Sequence, residues 1–152
     1  MKPATKDLVA RLVTTVHRAV YRLTGGRVAG RLAGMPVLLL TTRGRVTGKP
    51  RTVPLTYFTD GDDIVVVASY GGDDRHPEWY RNLCVDARVV VTQGGIRRPM
   101  SARPATAEER ERLWPRIVAT YPGYARYQSR TGRHIPLAVL SRPSGRPPGQ
   151  DG

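Results

Sequence analysis

Cysteine is nearly absent. Cys84 is the only one in 152 residues, which excludes an internal disulfide. Histidine is scarce as well: His17, His76 and His134 lie far from one another and from Cys84, so no metal-ligand spacing exists and no metal site is expected. The chain has no apolar run of about 18 residues, and hence no transmembrane-helix signal. Its opening stretch, MKPATKDLVARLVTTVHRAVYRL, is broken by Asp7, Arg11, Arg18 and Arg22, and it lacks the apolar centre and small-residue cleavage site of a secretory leader. The expected location is cytoplasmic. Acidic residues are also few, 12 against 25 Lys+Arg, giving a net charge of +13. Only Lys2, Lys6 and Lys49 are lysines, so arginine carries nearly all of this charge. Such a surplus concentrates anionic partners: nucleic acid, anionic lipid, or a small molecule bearing phosphates or carboxylates.

With 39% hydrophobic and 24% charged residues, the chain has the composition of one globular domain. Residues 5–24 read as a helix, because Leu8, Leu12, Val16, Val20 and Leu23 recur every three or four positions. Residues 1–31 hold seven Lys/Arg against one Asp, a local +6. The segment 1–30 is therefore set apart as a basic amphipathic helix. It is suited either to an anionic membrane surface at the inner face of the cell membrane or to packing on the body. From Pro36 the pattern becomes β. PVLLLTT is a continuous apolar run, as in a strand covered on both faces, and residues 51–59 form a second strand with Pro54 at an edge or bulge. Residues 64–69, 87–93, 96–102 and 134–140 supply further strands. Pro77 opens a short helix to Leu83, and the Thr106–Glu109 capping box opens another over 107–119. The body spans 31–141, and the Pro/Gly-rich tail 142–152 reads as disordered. About six mostly antiparallel strands and three helices make an α+β fold, a small barrel.

Gly44-Arg-Val-Thr-Gly48-Lys49-Pro50 is not a phosphate loop. Three residues rather than four separate the glycines, Pro50 replaces the hydroxyl residue, and a strand follows. Arg43, Arg45, Lys49 and Arg51 nevertheless gather on one hairpin, which is either a solvated basic turn or an anion site. Trp79 and Tyr80 in PEWYRN serve either as core or as the wall of a pocket for a planar ring. Tyr121, Tyr124 and Tyr127, interrupted by Pro122-Gly123, read as a loop cluster that lines either a substrate mouth or a lid. Cys84, beside Leu83 and Val85, reads as a buried small residue. No His–acid pair accompanies Ser69, which speaks against a hydrolytic triad.

The run LLLTTRGRVTGKPRTVPLTYFTDGDDIVVVASYGGDDRHPEWYRNL (38–83) resembles the deazaflavin-dependent nitroreductases. The likeness continues through 105–140 and rests on TTRGRxTGxPR, ASxGG, HPxWYxNL, ATxEER and TYPGYxxYQ together. It implies a split β-barrel that uses reduced coenzyme F420 to reduce a quinone or nitroaromatic acceptor. It also implies a cofactor seat. Arg45, Val46, Thr47 and Lys49, with Arg51, Thr52, Val53, Pro54, Leu55 and Thr56, would hold the phosphate and oligoglutamate tail. Val67, Ala68, Ser69 and Tyr70, with Pro77, Glu78, Trp79, Tyr80, Arg81 and Asn82, would enclose the deazaflavin. Tyr124 lies near the ring, while Tyr121, Tyr127 and Thr56 face the acceptor. Tyr124, Ser69 or bound water would supply the proton. Relatives usually carry a basic residue where this chain has Val46, and another where it has Tyr70. The rival readings are a deazaflavin or FMN binder without turnover and, further off, a basic nucleic-acid binder; the chain lacks a groove-reading module, so no specific nucleic acid is expected. A monomer and a homodimer are both compatible with the resemblance.

Overall fold

Alternation along the strands determines how the layers form. The computed structural model describes residues 31, 32 and 35–143. The expected helix at 5–24 and the tail beyond residue 143 lie outside the described residues. The strands are β1 (Arg31–Leu32), β2 (Met35–Arg43), β3 (Pro50–Thr56), β4 (Phe58–Asp60), β5 (Asp63–Val67), β6 (Arg88–Gln93), β7 (Ile96–Pro104) and β8 (Leu137–Ser141). Every pairing is antiparallel, in the order β1-β2-β6-β7-β8-β5-β4, and β3 pairs with β2. Three helices accompany them: α1 (Glu78–Val85), α2 (Ala107–Thr120) and α3 (Gly123–Ser129).

The apolar run of β2 is buried along most of its length. Leu38 and Leu40 join Ile64 and Val66 of β5, Val89 and Val91 of β6, and Ala138 and Leu140 of β8 in one cluster, into which α1 inserts Trp79 and Leu83. The alternate residues of β5, Val65 and Val67, point to the opposite face. There they meet Leu113 and Ile117 of α2 and Tyr124 of α3. Burial on both faces explains why the sequence here shows continuous apolar runs rather than alternation.

Three differences from the sequence expectation have local causes. The expected strand 51–59 is two strands, because β3 pairs with β2 while Phe58 already pairs with Val65 of β5; Tyr57 is the crossing point, and its N–H reaches Pro36 O at 3.3 Å. With β1, β4 and this split, the described residues hold eight strands rather than about six. The tyrosine segment is a helix, not a loop: Pro122, at φ −60°, starts α3 instead of breaking it. The final strand begins at Leu137 rather than 134, because Arg133 and Ile135 are bound up with side chains from elsewhere. Pro54 lies at the edge, as expected, since the β2 side carries β3's only strand pairing among the described residues. Pro115 lies inside α2, where its missing N–H costs a helical bond; burial of Leu113 and Ile117 on either side offsets this.

Helix α2 is anchored at its start by the capping box. Thr106 Oγ1 accepts from the Glu109 amide at 3.2 Å, and Glu109 Oε1 accepts from the Thr106 amide at 2.9 Å. Arg103 adds two parallel bonds to the same carboxylate, at 2.7 and 2.9 Å. These donors, Arg103 first and the Thr106 amide next, hold Glu109 down at about 2, against an ordinary 4.5. The stabilisation is therefore complete above the ordinary carboxylate range and is lost as pH falls towards 2. Glu109→Gln is expected to lower stability at neutral pH by about 1 kcal/mol, a modest effect because solvent screens the pair. In thermal melts, the gap from wild type should close steadily as pH is lowered from about 5 to about 2.

Candidate active site

The basic hairpin between β2 and β3 closes on its own backbone: Gly44 N–H donates to Lys49 O at 2.8 Å, and Gly48, at φ +71°, makes the turn. Its arginines divide into two groups. Arg45 is tied inward. Its amide and its Nη1 both donate to Asn82 Oδ1, at 3.2 and 2.9 Å, and Nη1 also meets Glu78 Oε2 at 2.6 Å. Asn82 is only 3% exposed, and its Nδ2 donates to the buried Thr42 Oγ1 at 3.1 Å. One amide thus pins the hairpin to both α1 and β2. Lys49 and Arg51 are exposed and form no ion pair with a described residue. Val46 projects outward at 87% exposure, and Thr47 caps the turn by accepting from the Lys49 amide. Beside the hairpin, Arg43, Gly44, Arg45, Gly48, Asp86 and Arg88 line an open cleft of about 410 Å3.

From Arg51, β3 runs to Thr56, a span of about 17 Å at roughly 3.3 Å per residue. Val53 and Leu55 pack on the first core cluster. On the other face, Thr52 Oγ1 bonds Thr41 Oγ1 at 2.8 Å. At the far end, the Thr56 and Tyr124 hydroxyls lie 2.7 Å apart. Tyr124 is flanked edge-on by Tyr121 at 5.1 Å and Tyr127 at 5.9 Å. Burial raises the Tyr124 phenol above its ordinary 10. A hydrogen bond with Tyr121, then burial, raises Tyr127 likewise. At neutral pH these phenols therefore hold their protons and can donate them in hydrogen bonds.

The third part is the loop after β5. Ala68 and Ser69 are buried, and the chain then turns through three consecutive residues of positive φ: Tyr70 at 45°, Gly71 at 64° and Gly72 at 81°. For Tyr70, which carries a Cβ, this backbone costs about 1–3 kcal/mol. Gly72 is required for space as well, since a Cβ there would lie 2.7 Å from Tyr127 O of α3. Arg75 lies over the Tyr70 ring at 5.6 Å. Arg133 reaches across to Ala68 O, Ser69 O and Asp73 O, and its Nη1 meets His76 Nδ1 at 3.1 Å. Burial first, then the Arg133 and Arg81 charges, hold His76 below its ordinary 6.5, so it stays neutral and accepts.

The structure therefore brings Arg45, Glu78 and Asn82 together at one end, and Thr56, Tyr121, Tyr124 and Tyr127 together at the other, with Val67–Tyr70 beside α3. Pro77 starts α1, and Arg81 lies 3.7 Å from Glu78. Trp79, 7% exposed, belongs to the core, with Tyr80 edge-on at 6.1 Å. Cys84 is exposed rather than buried, because α1 turns Trp79 and Leu83 inward and leaves Cys84 and Val85 outside. Sequence reasoning missed Arg133 and Gln128; both lie in polar stretches without periodicity.

The described residues thus form a small α+β fold with a basic hairpin at one end of β3 and a cluster of hydroxyls at the other. A solved F420-H2 dependent reductase (FDR-A) has 41% sequence identity to this chain and superposes with a TM-score of 0.63, covering 70% of this chain and 94% of its own. A second solved structure, a domain-swapped dimer, has 36% identity and a TM-score of 0.65 over 84% of this chain and 96% of its own. A quinone reductase of Mycobacterium tuberculosis, described as F420H(2)-dependent, is 44% identical over 131 residues, which is 84% of this chain and 88% of that protein. The family model described as F420H(2)-dependent quinone reductase matches residues 12–142, and the chain belongs to that family. It is thus an oxidoreductase with reduced coenzyme F420 as hydride source and a quinone as acceptor.

The Asn82 amide is the most consequential polar group in this region. Asn82→Ala is expected to cost about 2 kcal/mol in urea denaturation, because Thr42 and the Arg45 amide lose a buried partner. Glu78→Ala, which removes the ion pairs of an exposed carboxylate with Arg45 and Arg81, should cost under about 1 kcal/mol in the same measurement.

Proposed function

We propose that coenzyme F420 lies along β3, with its anionic tail at the Arg43–Arg51 hairpin and its ring end between Ser69–Tyr70 and the α3 tyrosines. The observation that carries this reading is the pair of exposed cations, Lys49 and Arg51, which form no ion pair with a described residue, at the head of a strand whose other end presents the Thr56–Tyr124 hydroxyl pair. The residues fit the cofactor. A phosphodiester and several carboxylates need cations, and arginine meets such groups with two parallel bonds. Val46 leaves that work to Lys49, Arg51 and Arg43; Thr47, Thr52 and Pro54 shape the strand surface between the two ends. Tyr70 gives the ring side an aromatic rather than a basic flank. We read the fold that carries the seat as a split barrel, a reading supported by the run 50–60, whose β3 pairs with β2 and whose β4 pairs with β5.

Bound F420 supplies the hydride chemistry, and the chain supplies orientation and proton control. Tyr124, kept protonated by burial, donates to the acceptor oxygen on which charge develops, and Thr56 fixes its hydroxyl. Tyr121 and Tyr127 wall the acceptor on the open side, and a nitroaromatic of similar size fits the same wall. Ser69, buried just past the end of β5, is a further hydroxyl on the loop that would enclose the ring, and bound water is another proton source. An FMN binder would need only one phosphate contact; a hairpin with several cations favours the longer anionic tail.

Arg51→Ala should weaken F420 binding at least tenfold in a fluorescence titration while changing kcat at saturation about threefold or less. Wild-type affinity should fall as salt is raised, because the tail contact is ionic. Unchanged affinity in the variant, or a flat salt response, would overturn this seat. The local +6 of residues 1–31 supports a second element of the proposal, a peripheral hold on anionic membrane, where an apolar quinone resides. Full-length protein should float with anionic liposomes and a variant lacking residues 1–30 should not. Equal flotation of the two would end that idea.

A further inference from the structure

We propose that Arg133 is a positioning residue for the reaction, fixing the Ala68–His76 loop against the tyrosine helix and so setting Ser69 and Tyr70 at their working distance from Tyr124. The inference rests on the ring-end seat proposed above. Its basis is the destination of one guanidinium. Nε donates to Asp73 O at 2.8 Å, Nη2 to Ser69 O at 2.9 Å and to Ala68 O at 3.1 Å, and Nη1 lies 3.1 Å from His76 Nδ1. All four partners belong to one loop, and three of them are main-chain carbonyls. Strand β5 ends at Val67, so the carbonyls of Ala68 and Ser69 have passed the last ladder pair, Val67 with Leu137. Arg133 replaces the ladder at that point, and does so where the backbone turns through the three positive φ values at Tyr70–Gly72.

The other side of Arg133 is held by α3. Gln128 Nε2 donates to Arg133 O at 2.7 Å, and Gln128 Oε1 accepts from the Ile135 amide at 2.9 Å and from Arg110 Nη2 at 3.1 Å. Thr131 Oγ1 accepts from the Arg133 amide and reaches Asp74 Oδ1 at 2.7 Å. The main chain of Arg133 is thus fastened to the helix that carries Tyr124 and Tyr127, while its side chain grips the loop that carries Ser69 and Tyr70. Gly72 packs directly on the Tyr127 backbone, so any slack in the grip would open the gap between these two walls. A lysine cannot replace it: one ammonium on a flexible stem does not span carbonyls at three positions of a loop.

The test compares R133M and R133K with wild type by hydrogen exchange, F420 fluorescence titration and turnover of menadione with reduced F420. In R133M, the amides of Gly72 and Asp73, which donate to Ser69 O and Tyr70 O, should exchange at least about tenfold faster, with the β2–β3 hairpin unchanged. F420 affinity should stay within about threefold while kcat falls about thirtyfold, the size expected from a misplacement of ångström scale. R133K should fall nearly as far, and it carries the test alone if R133M does not fold. Unchanged exchange at Gly72 and Asp73 would overturn the clamp. So would full turnover in R133K, or a loss of F420 affinity parallel to the loss of kcat. Faster exchange with wild-type turnover would overturn the positioning role; if Tyr124→Phe also turned over normally, the ring-end seat itself would fall with it.

Discussion

Double-sided burial of the central strands is the constraint on which the rest depends. β5 and β8, and β2 from Met35 to Leu40, are apolar at nearly every position, so neither face of the sheet can be left to water. The fold meets this with α1 delivering Trp79 and Leu83 to one face, and α2 and α3 covering the other. Once α1 is seated there, its buried Asn82 amide, beside Trp79 and Leu83, makes the junction with the β2–β3 hairpin. Once α3 is seated, its tyrosines must meet the end of β3. The two ends of the candidate site follow from where the helices are needed for burial.

The large positive charge has several separate uses. Arg103 and Arg112 form paired bonds to Glu109 and Asp60, and Arg88 does so to Asp86. Arg110 donates to Ile135 O and lies 4.3 Å over the Trp114 ring. Arg133 serves main-chain carbonyls, and Arg45 is shared between Asn82 and Glu78. Lys49 and Arg51 at the head of β3, like Arg43, Arg97, Arg126 and Arg142, are exposed and form no ion pair with a described residue. For an anionic ligand, the placement of Lys49 and Arg51 together on one hairpin matters more than the amount of charge.

Strain and space are concentrated at the opposite end. Tyr70 adopts a backbone that its side chain disfavours, and Gly72 lies where a methyl group would strike α3. Both are held from outside the loop, by Arg133 and by the α3 backbone. The segment beside Ser69 thus owes its shape to distant residues, the usual condition for backbone strain to persist in a folded chain.

Much of this was legible from residue order. The continuous run Pro36–Thr42, the edge position of Pro54, the Thr106–Glu109 box and the start of α1 at Pro77 are local effects of period, ring geometry and capping, and such effects act within a few residues. The motifs of the hairpin and of HPxWYxNL likewise identified the family. Other features had no local signature. Pro122-Gly123 suits a break as well as a start, and only packing of Tyr124 on Phe58 and Ile117 decides for a helix. The break at Tyr57 depends on which strands lie on either side. The split of the arginines into paired and open, the exposure of Cys84, and the grip of Arg133 on carbonyls some sixty residues away depend on long-range approach. The order of residues determined the elements and the kind of ligand they suit, because propensity and charge belong to single side chains and near neighbours. The tertiary structure alone decided which charges remain free and which loop is clamped, because hydrogen-bond partners are chosen by distance in space.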